Sequence, residues 1–208
     1  MDVVVAGGHG NVGLRLLRLL ADRGHRARGL VRNPEHVPDL AEVGAEAVVC
    51  DMEALDDLSG CCTDADAVVF AAGAGSGSGP ERKRTVDLGA AVKLIEAGVR
   101  RYVMVSAISA GRPDEWSEPM RPYYEAKAEA DGRLQQSGLD YTIVRPGGLT
   151  DDPGTGLVTV GTDLGGGAIP RDDVARVLLS VLESPNTIGK TFELISGDTP
   201  VEEAVRAL

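Results

Sequence analysis

Three groups of residues in this chain have types and spacings that could do chemistry. Tyr123 and Lys127 stand four positions apart, the interval that puts two side chains on one face of a helix. In that arrangement an ammonium lowers the pKa of a phenol, and the phenol gives or takes a proton at a substrate oxygen. Ser106 follows a strand-like run, at the end of the strand where ligands sit in parallel sheets, and could orient that oxygen. Tyr124 is the alternative neighbour of Lys127 at i+3, and an interfacial aromatic is the plain reading of it. Chance also produces a Tyr four residues before a Lys, but the chain has only four Tyr and four Lys (Lys83, Lys93, Lys127 and Lys190), and the pair falls on the helix after the fifth strand, beside the expected cofactor cleft.

The second group is Ala6-Gly7-Gly8-His9-Gly10-Asn11-Val12-Gly13. Glycines at 7, 10 and 13 serve a tight strand-to-helix turn, a close backbone approach to a diphosphate, and close packing of helix on strand. The diphosphate then meets the free amides and dipole of a helix N-terminus. The third group chooses the nucleotide. Leu30-Val31-Arg32-Asn33-Pro34 carries no acid where NAD sites place one, and the forked guanidinium of Arg32 could grip a 2′-phosphate. Asp51 and Met52 end a further strand, where an adenine ring would lie; an ordinary helix N-cap Asp is the competing role.

The elements that must position these residues are legible as β-α alternation. Strands are expected at Val3–Ala6, Arg26–Val31, Ala47–Cys50, Ala67–Ala71, Tyr102–Val105 and Tyr141–Val144. Helices are expected from Val12 to Ala21, over 35–43, 81–97 and 120–136, with a helix or turn over 51–60. Strand runs that are apolar throughout imply helices on both faces and a doubly wound parallel sheet. After Pro146 the pattern is less regular: strands at Leu157–Val160 and Thr191–Ile195, helices over 171–183 and 200–207, with Asp172 and Asp173 as an N-cap. The expectation is one domain over 1–208, a nucleotide-binding core (1–145) and a small lobe (146–208). The GAGSGSGP stretch, 73–80, reads either as a linker or as a mobile lid.

Composition narrows the partners. The net charge of −11 repels nucleic-acid backbones, so a small-molecule substrate is expected and nucleic acid is not. Apolar runs are strand-length, so neither a membrane span nor a signal peptide is expected. Cys50, Cys61 and Cys62 read as reduced thiols of a cytoplasmic protein. His9, His25 and His36 show no metal-ligand spacing with them, and no metal is expected. No helix shows a partner stripe, which leaves monomer or dimer.

Taken together, GGHGNVG (7–13), LVRNP (30–34), CDM (50–52), AAG (71–73), YVMVSA (102–107), YYEAK (123–127) and YTIVRPGGLT (141–150) resemble the atypical short-chain dehydrogenase/reductase family. The resemblance is to its NAD(P)-binding group, related to nucleotide-sugar epimerases, NmrA-like proteins and flavin/biliverdin reductases. It implies a Rossmann fold with a small C-terminal lobe and NADP(H), or NAD(H), as cofactor. It carries Gly7, Gly10, Asn11 and Val12 onto the pyrophosphate and Arg32 onto the ribose phosphate. Ser106, Tyr123 and Lys127 match the catalytic set. His9, Asp51, Met52, Ala72, Gly73, Lys127 and Pro146 complete the expected cofactor-binding residues. The implied activity is an NADP(H)-dependent oxidoreductase acting on a small carbonyl, quinone or flavin-like acceptor. A non-catalytic NADP(H) sensor and a nucleotide-sugar epimerase or dehydratase are the alternatives; the 146–208 lobe is small for a nucleotide sugar.

Overall fold

Alternating apolar strands and amphipathic helices assemble a nine-stranded sheet in the computed structural model, which describes residues 1–75 and 77–208. The strands β1 (Asp2–Ala6), β2 (Arg26–Val31), β3 (Glu46–Val49), β4 (Ala67–Phe70), β5 (Arg101–Val105) and β6 (Asp140–Pro146) run parallel. Their order, β3-β2-β1-β4-β5-β6, reverses direction between β1 and β4, which opens a ligand crevice at the strand ends there. The helices are α1 (Asn11–Asp22), α2 (Val37–Glu42), α3 (Pro80–Arg82), α4 (Ala91–Glu96), α5 (Arg121–Gln135), α6 (Arg171–Leu182) and α7 (Val201–Arg206).

The period of two along each strand sorts side chains into two cores. Val3, Val5, Val69, Val103 and Val105 pack with Leu16, Leu17 and Leu20 of α1 and Leu178 of α6. Val4, Val68, Phe70, Met104 and Ile143 pack with Leu94 of α4 and Leu134 of α5. Each such side chain contributes about 1.5–3 kcal/mol when fully buried.

Beyond Pro146 the chain extends the main sheet. β10 (Lys190–Ser196) lies parallel to β6, β8 (Leu157–Gly161) antiparallel to β10, and β11 (Thr199–Pro200) antiparallel to β8. A separate pair, β7 (Gly148–Thr150) and β9 (Ala168–Pro170), is also present. The sequence pattern gives no sign of β7, β9 or β11: two or three residues containing Gly or Pro carry no readable period.

Three expectations are corrected. The helix expected over 81–97 is present but not regular. It starts as α3, widens into a π segment at Lys83–Ala90 and resumes as α4. Residues 51–60 take the turn of the two alternatives expected there, leading into a 3-10 segment, Ser59–Cys62. Asp172 and Asp173 do not cap α6, because Pro170 holds the cap position. Instead the Asp173 carboxylate accepts the Thr155 and Gly156 amides, both at 2.8 Å, which fastens the loop before β8. Finally, Cys50 and Cys61 are joined as a disulfide across eleven positions, with Cα atoms 6.4 Å apart, while Cys62 is free and buried. The turn after β3 folds back and brings the two thiols together, which their spacing in sequence does not reveal. The stretch 73–80 borders the crevice, and its Ser76 lies outside the described residues.

Candidate functional site

The glycine turn is built by close backbone contact. Gly7 takes φ +80°, and a Cβ on it would come within 2.8 Å of Ala72 Cα at the end of β4. A Cβ on Gly13 would run into the Gly7 carbonyl. The start of α1, at Gly10, has no side-chain cap, so its first amides remain available to an anion. Glycines that let strand end and helix start pack backbone on backbone, beside an uncapped helix start, fit a dinucleotide diphosphate.

Two cavities open on either side of this turn and meet along Ala71–Gly73. The one of about 520 Å³ is lined by Gly7, His9, Gly10, Arg32, Asp51, Met52, Ala72 and Gly73, and also by His36, Glu53 and Arg82. The other, of about 680 Å³, is lined by Val12, Ser106, Tyr123, Lys127 and Pro146, together with Lys83, Asp87, Met120 and Leu149. All the expected site residues but one therefore border this double cavity. Asn11 lies exposed at the helix start outside both linings, where its carbonyl accepts Arg15 Nη1 at 2.7 Å.

In the smaller cavity Arg32 does not stand alone. Its Nη1 lies 3.1 Å from Glu53 Oε2, which also accepts Arg82 Nη2 at 2.9 Å, while Thr85 donates to Glu53 Oε1 at 2.8 Å. Partial burial works against the Glu53 charge, but its bonds to Arg82 and Thr85 and the two guanidiniums hold its pKa below the ordinary carboxylate range. Asp51 Oδ1 accepts the Glu53 and Ala54 amides at 3.0 and 3.3 Å, an Asx turn that shapes the cavity floor. Lys93 ties the same loop from below, donating to the Met52, Glu53 and Leu55 carbonyls. His9 stacks on His36 at 3.7 Å between ring centres, and its Nε2 sits 2.6 Å from Asp39 Oδ2.

In the larger cavity α5 presents Tyr123, Lys127 and Asp131 at successive turns. Lys127 is almost wholly buried. Its Nζ donates to the Val105 carbonyl at 3.1 Å, lies 3.3 Å from Asp87 Oδ1 and stands 5.9 Å from the centre of the Tyr123 ring. Asp87, fully buried on the π segment, also accepts the Ala74 amide at 3.2 Å through Oδ2. Ser106 Oγ donates to Asp131 Oδ2 at 3.0 Å, and the same oxygen takes Arg145 Nε at 3.0 Å and Nη2 at 2.9 Å. Burial raises the Asp131 pKa, opposed by Arg145, Ser106 and Lys127.

The expected lowering of the Tyr123 pKa is reversed. Burial, then the Asp87 carboxylate, pushes this phenol well above its ordinary value. Burial comes first, and the second cause, the Asp87 carboxylate, is one to which the sequence pattern does not point. Asp87 is concealed next to Val86 in an apolar stripe. Asp131 could have been found, since 123, 127 and 131 fall on one helical stripe. Arg82, Glu53 and Lys83 give no signal beyond being ordinary surface charges.

Strand order, crevice position and glycine cradle together define a dinucleotide-binding Rossmann protein. The chain belongs to the NAD(P)H-binding family, whose model matches residues 7–185. It is 42% identical over 214 residues to the uncharacterized sugar epimerase YhfK of Bacillus subtilis, covering 100% of both chains. Among solved structures it is similar to a candidate NAD-dependent epimerase/dehydratase from Bacillus halodurans, at 42% identity and a TM-score of 0.96, with 100% of each chain covered. It is also similar to the oxidoreductase ylbE from Lactococcus lactis, at 30% identity and a TM-score of 0.88, covering 100% of this chain and 96% of that one. Among the described residues no helix is long and apolar enough to cross a membrane.

Proposed function

We propose that this chain is an NADP(H)-dependent oxidoreductase of the atypical short-chain dehydrogenase/reductase type, acting on a small carbonyl, quinone or flavin-like acceptor. The observation that carries the reading is the placement of Tyr123, Lys127 and Ser106 in the wall of a cavity of about 680 Å³ continuous with the glycine-turn cavity. Its volume is ordinary for a small-molecule site. When bound, a nicotinamide supplies or accepts the hydride. The protein's part is to position the acceptor and manage the proton. Tyr123 is protonated throughout the neutral range, so it serves as the acid at an acceptor oxygen. Lys127 is held by Val105 and Asp87, rigid enough to orient a ribose hydroxyl. Gly7, Gly10 and Val12 would face the diphosphate, Asp51 and Met52 the adenine, and Arg32 with Arg82 a 2′-phosphate.

The epimerase name carried by the Bacillus subtilis relative and the dehydrogenase-type cofactor are compatible through the same hydride chemistry. From Pro146 onward only Pro146, Gly147 and Leu149 line this cavity, which favours a small acceptor over a nucleotide sugar. Steady-state NADPH oxidation across a panel of quinones, flavins and small carbonyls tests the reading. Turnover that disappears in Tyr123→Phe supports it; tight NADPH binding with no turnover on any acceptor rejects it.

One observation favours a second reading, a non-catalytic NADP(H) sensor. Lys127 and Ser106 are both engaged by buried carboxylates, Asp87 and Asp131. If Tyr123→Phe leaves a cellular phenotype of the gene intact, sensing is the better account. The oxidoreductase reading proposes a cytoplasmic location and a small-molecule partner for a monomer or dimer. The Cys50–Cys61 bridge argues for a less reducing setting, and alkylation of thiols at lysis separates the two.

A further inference from the structure

The charges over the adenosine cavity are arranged around an anion that the protein supplies itself. Arg32 enters from the end of β2 and Arg82 from α3, and both guanidiniums converge on one carboxylate oxygen, Oε2 of Glu53. Two forked cations meeting on one oxygen, at 3.1 and 2.9 Å, form the arrangement that also binds a phosphate. The three side chains line the same cavity wall as Asp51 and Met52, beside the place a ribose would occupy. Glu53 is anchored from its other oxygen by Thr85, so it is held in position rather than swinging freely.

We propose that Glu53 sets the choice between the two nicotinamide dinucleotides, by occupying on Arg32 and Arg82 the position that a 2′-phosphate must take. This rests on the dinucleotide reading above. With a 2′-hydroxyl on the ribose, Glu53 keeps both arginines and its carboxylate is free to accept the hydroxyl proton, the role acids play in NAD sites. With a 2′-phosphate, the dianion takes the two guanidiniums and Glu53 is displaced against a like charge. Arg82 is thus a second phosphate clamp, and Glu53 its internal competitor.

Calorimetric titration of the full chain with NADPH and with NADH tests this, on wild type, Glu53→Gln, Glu53→Ala and Arg82→Ala. Both Glu53 variants are expected to bind NADPH about tenfold tighter, about 1.4 kcal/mol, with NADH unchanged or weaker. Arg82→Ala is expected to weaken NADPH about tenfold and leave NADH alone. The proposal is overturned if the NADPH-to-NADH ratio stays at the wild-type value in both Glu53 variants, or if both cofactors tighten equally. Equal affinities in the wild type would sink the NADP assignment, yet a ratio that rises on removing the carboxylate would still uphold the role of Glu53. A wild type that binds neither dinucleotide ends both.

Discussion

In the adenosine half of the cleft Arg32 and Arg82 keep 61% and 46% of their side chains exposed, whereas in the acceptor half Lys127 and Asp87 keep 4% and 0%. Both halves pair a cation with a carboxylate, yet the pairs obey different physics. Exposed pairs are screened and are worth about 0–1 kcal/mol, so their members can change partners when a ligand arrives. A buried pair cannot separate without leaving a bare charge in low dielectric. The cofactor end is therefore adjustable by small changes, and the chemistry end is locked into one arrangement.

The largest expected effect comes from breaking the locked pair. Lys127→Ala leaves Asp87 buried without its cation and should lower unfolding free energy by about 3–5 kcal/mol, read from urea melts. The double variant Lys127→Met with Asp87→Leu should recover most of that loss; if it does not, charge burial is not what the pair manages. Next comes the floor of the adenosine half. Reducing the Cys50–Cys61 bridge should cost about 3 kcal/mol for a loop of this length, measured by melting with and without a thiol reductant. A Cys50→Ser variant that melts like the wild type under oxidising conditions would show the bridge is idle.

Tyr123→Phe should cut turnover by about a hundredfold or more while leaving NADPH affinity within twofold (about 0.4 kcal/mol). A pH series sharpens the point. The folded state holds the Tyr123 proton more tightly than a free phenol does. The stability it adds is thus full below about pH 10 and is lost as pH rises through the phenol range. The phenylalanine variant should lose less stability than the wild type over that alkaline window. The smallest change is Arg32→Ala: about a tenfold drop in NADPH preference, about 1.4 kcal/mol, with melting shifted by less than about 1 kcal/mol. A large stability loss there would erase the contrast between the halves.

Legibility in the sequence divides along similar lines. The β-α alternation, the glycine turn and the Tyr123/Lys127 stripe are legible because each is written in local spacing. Asp87 and Glu53 are not, because their importance lies in partners brought from 40 and 21 positions away, Lys127 and Arg32. Tyr123 shows the cost of that gap. Its helix position is readable, but the direction of its pKa reads backwards, because burial and then the distant Asp87 carboxylate are set by the fold. β7 and β9 are invisible for another reason, since three-residue strands carry almost no pattern.

The π segment at Lys83–Ala90 has a consequence for the geometry of both halves. A regular helix turns about 100° per residue, so a widened turn sets the phase between the residues before it and those after it. Arg82 lies just before it and Lys83 at its first position, one facing each cavity; downstream lie Ala91 and Leu94, fixed in the core. Deleting a single residue from this turn would rotate the two cations by more than a quarter revolution while the hydrophobic side stayed put. The widened turn thus acts as the angular setting for both ends of the cleft.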